Sequence, residues 1–568
     1  MKRIESIWLP ENVKNVWMIT FELQKVASLG GLGNAVYNMA KHLAQKGYNV
    51  TIFMPSHGRH LSEYYRSILK LNYIDLRVEG YRKGTDNNYY PYKIGFEEGT
   101  LDNFKVILVK GLDQTTGRIL DTWNIYDNTL EKSALLSRGL EGYILSKLPN
   151  DVPDLIHAQD WHAVVPAVRI KQILEERKIV VPLVYTIHLL NKVDVPWHYA
   201  SQDWSGIEDC NHYVWMVSKH NLYKYSYVWD SLSNGYIEKF GCYEADVVTT
   251  VSYSYLTFDV FNLVGSWIAN KSCITYNGTD WDVNEIENKI MKFYETKNRR
   301  ELRRRLLSSL NALRAIPDDY TTGNILWNNK NRIGIRDDWT YDNLGEGPLL
   351  LFTGRIVYQK GIDLLLRAMK LVVNEISNAR LIVLGIPSGD YNLLWDIIDR
   401  ASEIKDNVRL ILGRIDPDLY KIYHYASSVF VIPSRWEPFG INAIEAMSLG
   451  LPVIAYAVGG LRETVVDIRE DLEHGTGILV KPESIDDLAK AIKVAIYLSE
   501  ASENNNYDLL TKVQDYIQIK DVNYWNKVRE NSIKRVDSKF RWEAVINSLT
   551  ECYKKALEMA KYRALASF

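Results

Sequence analysis

Apolar residues along this chain keep changing between two spacings, and the change recurs in two separate series. The first opens with Val16-Trp-Met-Ile-Thr-Phe, short and apolar enough for a buried strand. A loop over 22–31 follows, then apolar positions at helical spacing over 32–45, with Gly47 where a helix should close. Tyr48-Asn-Val-Thr-Ile-Phe-Met-Pro55 resumes a strand. Strand, glycine-bearing loop, helix and strand in that order form a βαβ unit, which predicts a parallel sheet. Further strands are expected at 104–109, 155–157, 181–187, 247–251 and 274–276. The second series starts at Leu349-Leu-Leu-Phe-Thr and continues at 380–384, 408–412, 429–432, 453–455 and 477–480, with helices between. Phe540, Trp542, Val545, Ile546, Leu549, Tyr553, Ala556, Leu557 and Ala560 then follow i, i+3, i+4, i+7 spacing and predict an amphipathic terminal helix.

A chain of 568 residues exceeds what one core can organise. The two series therefore predict an α/β protein of two doubly wound parallel-sheet domains, over 1–282 and 347–538. The charged, polar stretch 283–346, helical near 301–313, reads as their connection. The segment 539–568 is expected to pack back on the N-terminal domain. Ligands of such sheets bind beyond the carboxyl ends of the strands, which puts the expected site in a cleft between facing domains. The composition is ordinary except for 37 Tyr and 16 Trp. Nine of these rings fall in an irregular insertion over 192–235, which reads either as a sugar-stacking lid or as a satellite core. A net charge of −2 gives no reason to expect nucleic acid or an anionic membrane as partner. No signal-peptide core and no apolar run long enough to span a bilayer is present. The four cysteines, Cys210, Cys242, Cys273 and Cys552, are widely spaced, so neither a disulfide framework nor a zinc site is expected, and a reducing cytoplasm is.

The chemistry concentrates in Val429-Phe-Val-Ile-Pro-Ser-Arg-Trp-Glu-Pro-Phe-Gly-Ile-Asn-Ala-Ile-Glu-Ala-Met-Ser-Leu-Gly450. A strand runs into a loop carrying Glu437, and a helix from about 440 to 449 carries Glu445, roughly 7 Å along the axis from its start. Free N–H groups and the positive dipole end between the two carboxylates suit a phosphate, and the carboxylates suit sugar hydroxyls. Arg355 and Lys360 flank the loop after the strand ending at Thr353, and two cations there can neutralise a diphosphate leaving group without a metal. Without Glu437 and Glu445 these would read as two solvated surface cations. The Gly30-Gly31-Leu-Gly33 loop lets backbone amides approach a phosphate. It is not the dinucleotide fingerprint, because Val36 stands where that pattern needs glycine.

Taken together these pieces resemble the glycogen/starch synthase family of retaining glycosyltransferases, which have two facing Rossmann-like domains (the GT-B fold). The resemblance rests on Gly30-Gly-Leu-Gly-Asn, His157-Ala-Gln-Asp-Trp-His162, Tyr185-Thr-Ile-His188, Ala245-Asp-Val-Val-Thr-Thr-Val-Ser252 and Tyr276-Asn-Gly-Thr-Asp280 in the first half. In the second half it rests on Thr353-Gly-Arg-Ile-Val-Tyr-Gln-Lys-Gly361, Ser434-Arg-Trp-Glu-Pro-Phe-Gly440 and Val458-Gly-Gly-Leu461. It implies that Arg355 and Lys360 grip the donor diphosphate and that Glu445 holds the ribose. Glu437 would face the transferred glucose, with backbone N–H groups of Phe439, Gly440 and Ile441 close by. Gly30, Gly31 and Lys25 would complete donor binding, and Asp160 and His188 would line the sugar site. No cofactor or metal is implied. Two departures stand out: Lys25 is separated from Gly30 by three more residues than the family places there, and the family's His-Asn pair is here His188-Leu189.

The resemblance implies an α-1,4-glucan synthase that moves glucose, with retention, from ADP- or UDP-glucose to the 4-hydroxyl of a glucan's non-reducing end. A related transferase acting on a small acceptor, and a non-catalytic sugar- or nucleotide-binding regulator, are the alternatives.

Overall fold

The computed structural model describes residues 7–567, so positions 1–6 and 568, at the ends of two expected segments, lie outside the described residues. The chain divides into two compact units: Met1–Asn277 with Trp542–Phe568, and Gly278–Arg541.

The first unit is built on β1 (Asn15–Ile19), β2 (Asn49–Pro55), β3 (Asn72–Lys83), β4 (Tyr89–Leu101), β5 (Phe104–Gly111), β6 (Leu155–Gln159) and β7 (Leu183–Ile187). After a separate hairpin of β8 (Asn211–Met216) and β9 (Lys219–Lys224), β10 (Val247–Thr250) and β11 (Ser272–Ile274) complete its main sheet. The order is β11-β10-β7-β6-β1-β2-β5-β4-β3, parallel from β11 through β5. The β3–β4 hairpin closes one edge antiparallel. The sequence pattern does not show this hairpin, because β3 alternates exposed and half-buried residues and has no apolar run. Val16, Met18 and Ile19 of β1 are fully buried, and the Trp17 ring meets Phe53 at 4.7 Å and Tyr143 at 5.7 Å. Strand order reverses between β1 and β6, so the crevice beyond their carboxyl ends is the natural ligand position of this unit.

In the insertion, Tyr225 and Trp229 are buried, and the Trp229 ring lies 4.8 Å from Phe240 and 5.9 Å from Trp197. These rings form a satellite core. The helix Trp542–Ser567 returns to the first unit, burying Trp542, Val545, Ile546, Leu549 and Tyr553. Tyr553 hydroxyl pairs with His157 Nδ1 at 2.9 Å, and the Arg563 guanidinium donates to both Asp246 oxygens at 2.9 Å. Cys552 on this helix forms a disulfide with Cys273 on β11, their Cα atoms 6.0 Å apart. This corrects the expectation of no disulfide: a sequence separation of 279 hides a pair that the returning helix brings together. Cysteine spacing therefore no longer argues for a reducing compartment.

The second unit holds β12 (Leu349–Ile356), β13 (Arg380–Pro387), β14 (Val408–Leu412), β15 (Val429–Ile432), β16 (Val453–Tyr456) and β17 (Gly477–Val480). They form an all-parallel sheet in the order β14-β13-β12-β15-β16-β17, reversing between β12 and β15. Residues 283–346, read from sequence as a connection, fold into this unit through the helices Val283–Tyr294, Arg299–Ser308 and Tyr320–Asn328. Their charged faces mask the apolar ones: Ile286, Ile290, Leu302 and Leu306 are buried. Arg303 donates to the Gly347 carbonyl at 3.1 Å and to Glu503 at 2.5 Å. Among the described residues no helix is long and apolar enough to cross a membrane.

Candidate active site

In the second unit, the loops after β12 and β15 meet at the strand-order reversal. Arg435 N–H donates to the Gln359 carbonyl at 2.8 Å, and Gln359 Nε2 to the Trp436 carbonyl at 2.9 Å. Gly361 (φ +65°) allows this approach, since a Cβ there would lie 1.9 Å from the Pro433 carbonyl oxygen. Lys360 Nζ then reaches Glu437 Oε2 at 2.5 Å, and Ser434 Oγ donates to the same oxygen at 3.3 Å. Arg355 is exposed at the end of β12 and makes no ion pair with any described residue, which leaves its fork available to an anion. The carbonyl of Glu437 accepts from Gly460 N–H at 3.0 Å, so the Val458-Gly-Gly-Leu461 turn braces this residue from behind.

Phe439 is buried, and Gly440 (φ +95°) caps the helix Ile441–Ser448, whose first two N–H groups, those of Ile441 and Asn442, have no intrahelical acceptor. Asn442 Nδ2 ties that turn to the Thr353 carbonyl at 2.9 Å. Glu445 sits farther along the helix, where burial lifts its carboxyl to about 7 and Lys421 partly offsets the shift. One exposed cation, one cation–carboxylate pair, a helix N-terminus and a second carboxyl thus converge at one end of the sheet.

In the first unit, the loops after β1, β6 and β7 share one end of the parallel sheet. Gly30 precedes the helix Gly31–Gln45. Its amide donates to Glu22 Oε2 at 3.1 Å, and the Leu29 amide to the same oxygen at 2.8 Å. Lys25 is held elsewhere: its Nζ reaches Tyr37 Oη at 2.5 Å and Asp102 at 3.4 Å. Asp160 (φ +61°) is buried and its Oδ1 accepts the amides of His188 at 2.7 Å and Leu189 at 3.1 Å. Burial, reinforced by the charges of Glu238 and Glu22, pushes its carboxyl up to about 8 against the pull of those amides. His188 Nε2 pairs with Gln159 Oε1 at 2.8 Å, and burial lowers the ring to about 4, so it is neutral. His157 is committed to Tyr553 and Thr186, and the His162 ring stacks on Phe21 at 4.3 Å.

Residues 15–257 match the family described as starch synthase catalytic domain, and residues 337–508 the one described as glycosyl transferases group 1. A glycogen synthase of Hydrogenobaculum sp. (strain Y04AAS1) is 24% identical over 542 residues, spanning 89% of this chain and 98% of its own. A glycogen synthase of Clostridioides difficile (strain 630) is 24% identical over 569 residues, spanning 95% and 99%. The chain is thus similar to glycogen and starch synthases over nearly its whole length. The fold agrees with that similarity. The catalytic domain of starch synthase IV from Arabidopsis thaliana, bound to ADP and acarbose, is similar at a TM-score of 0.66 and 19% identity, covering 96% of this chain and 100% of that one. The protein is thus a nucleotide-sugar glycosyltransferase on the GT-B fold of two Rossmann-like domains.

Sequence reasoning missed several residues that shape the loops of the first unit. Glu22 and Gln159 act through hydrogen bonds to neighbours, and Glu238 accepts the amides of Asn191 at 2.9 Å, Lys192 at 2.7 Å and Val193 at 3.2 Å. A loop carboxylate that binds backbone has no periodicity to reveal it. The only signal was an acidic residue directly after an apolar strand, as Glu22 follows Thr20-Phe21.

Proposed function

We propose that this protein transfers glucose from ADP- or UDP-glucose, with retention, to the 4-hydroxyl at the non-reducing end of an α-1,4-glucan. The observation that carries the reading is the convergence of Arg355, the Lys360–Glu437 pair at 2.5 Å, and Glu445 around the helix end at Gly440. Arg355 and Lys360 bind the diphosphate and stabilise it as it leaves, and Glu445 accepts from the ribose hydroxyls. Glu437 accepts from hydroxyls of the transferred glucose, with the amides of Phe439 to Ile441 beside it. A carboxylate held in an ion pair fits this holding role better than that of a nucleophile.

In the first unit, the Gly30 amide is taken by Glu22, so the Gly31 amide is assigned to the donor, and Asp160 and His188 to the sugar, as groups that donate or accept hydrogen bonds. Lys25 receives no donor role, since Tyr37 and Asp102 hold its ammonium. In the reaction, the glucose C1–O bond to phosphate breaks as a C1–O bond to the acceptor forms on the same face. The acceptor's hydroxyl proton passes to the departing phosphate oxygen. The names of relatives spanning nearly the whole chain support the glucan acceptor.

The test is a labelled-glucose transfer assay with glycogen as acceptor and each nucleotide donor in turn. Arg355→Ala, Lys360→Ala and Glu437→Ala are each expected to lower kcat/KM by about 100-fold or more, as removal of a charge-stabilising group does elsewhere. Near-normal transfer in these variants would overturn the residue roles. Products extended only on free sugars, not on glycogen, would overturn the acceptor.

A further inference from the structure

Glu22 occupies the inside of the Gly30-Gly31 loop. It is buried, and Oε2 accepts three hydrogen bonds, from Leu29 N–H at 2.8 Å, Gly30 N–H at 3.1 Å and Ser28 Oγ at 3.2 Å. Its other oxygen accepts from Tyr126 Oη at 2.5 Å. The rest of the loop is drawn tight around this carboxylate. Leu23 and Ala27 exchange both backbone hydrogen bonds, at 2.7 and 2.9 Å, with Lys25 (φ +70°) at the tip between them. Gly33 lets the loop lie on the helix, since a Cβ there would be 2.2 Å from Ser28 Oγ.

The segment bearing Tyr126 is fastened from the other side. Lys132 Nζ donates to the Asn124 carbonyl at 2.8 Å and the Ile125 carbonyl at 2.9 Å. Arg59 joins the two pieces, donating to Val26 and Trp123 carbonyls at 3.1 Å each, with its guanidinium 3.6 Å from the Trp123 ring centre. Glu22 takes the amides that precede the helix. It leaves those of Gly31, Leu32 and Gly33, which helix geometry gives no intrahelical partner.

We propose that Glu22 is a positioning residue for transfer: its carboxylate, locked by Tyr126, fixes the glycine loop so that the helix's first-turn amides are preset for the donor. The proposal rests on the transferase reading above. Glu22 does not itself touch the substrate. An internal anion satisfies the outer amides, and a substrate anion takes the inner ones without reordering the loop.

The test measures donor KM, acceptor KM, kcat and melting temperature of the full chain for Glu22→Ala, Glu22→Gln and Tyr126→Phe. A core truncation in the same unit, Leu140→Ala, serves as control. Glu22→Ala is expected to raise donor KM about 10- to 100-fold with acceptor KM unchanged, because a displaced binding group misaligns the donor. Glu22→Gln, which keeps an acceptor oxygen, should recover most of that loss, and Tyr126→Phe should show a smaller rise. Wild-type donor KM in Glu22→Ala overturns the proposal. So does a Leu140→Ala variant that raises donor KM equally at the same melting temperature. Should Glu22→Ala fail to fold, unchanged donor KM in both Glu22→Gln and Tyr126→Phe overturns it instead. Arg355→Ala run in parallel separates the two readings. Its normal activity would sink the donor-site residue roles, and no transfer by the wild type would sink the transferase reading, whereas loss in Arg355→Ala beside a normal Glu22→Ala would sink only this inference.

Discussion

Glu445 and Asp160 show how burial, as the largest cause, can place a carboxyl in the neutral range, at about 7 and about 8. The consequences differ. Asp160 spends one oxygen on two backbone amides, whereas Glu445 is assigned to hold ribose hydroxyls, which favour the ionised form. Since the free carboxyl is half protonated near pH 7, donor affinity through Glu445 is absent at low pH and appears as pH rises through about 7. Donor KM of the wild type should therefore fall across that range. Glu445→Gln should show a higher donor KM at the alkaline end and lose this limb of the profile. A variant profile superimposable on that of the wild type would remove Glu445 from donor binding.

At the scale of elements, the Gly459-Gly460 turn is the part of the second unit that sets Glu437. Gly459 (φ +44°) lies where a Cβ would be 1.9 Å from the Glu437 carbonyl oxygen. Gly389 (φ +81°) shares the left-handed backbone but has open space around it. Gly389→Ala should thus cost about 1 kcal/mol of backbone strain alone. Gly459→Ala adds a collision, for a total of about 2–4 kcal/mol, and should raise donor KM as Glu437 shifts. Equal stability losses with unchanged donor KM in both variants would show that the turn does not position Glu437.

The contrast between what was legible and what was not follows the same scale. Glu437, Glu445, Arg355 and Lys360 each sit within one strand–loop–helix pattern, so sequence spacing placed them. The 2.5 Å contact of Lys360 with Glu437 also needed the adjacency of β12 and β15, which no local pattern specifies. The β3–β4 hairpin was hidden by its exposed alternation, and the helices of 283–346 by their charged faces. Glu22 was hidden because its partners are main-chain amides rather than a motif.

At the scale of the molecule, the first unit is discontinuous: the chain leaves it at Asn277 and re-enters at Trp542, after the whole second unit. Its last helix must find β10 and β11 across that gap, and three kinds of attachment hold it there. Apolar burial of Trp542, Ile546, Leu549 and Tyr553 supplies the bulk. Arg563 adds the bidentate contact with Asp246 at 2.9 Å and a bond to the Val181 carbonyl at 3.0 Å. The Cys273–Cys552 disulfide adds a covalent closure across 279 positions. A crosslink spanning so long a loop chiefly restricts the unfolded chain, so its loss should lower stability by about 2–5 kcal/mol without moving the catalytic loops. Reduction of the wild type, or the double change Cys273→Ser with Cys552→Ser, should therefore lower the melting temperature while donor KM stays the same. Adding reductant to the double variant should do nothing further. A wild type whose melting is indifferent to reductant would mean that burial and the Arg563 contacts hold the returning helix unaided.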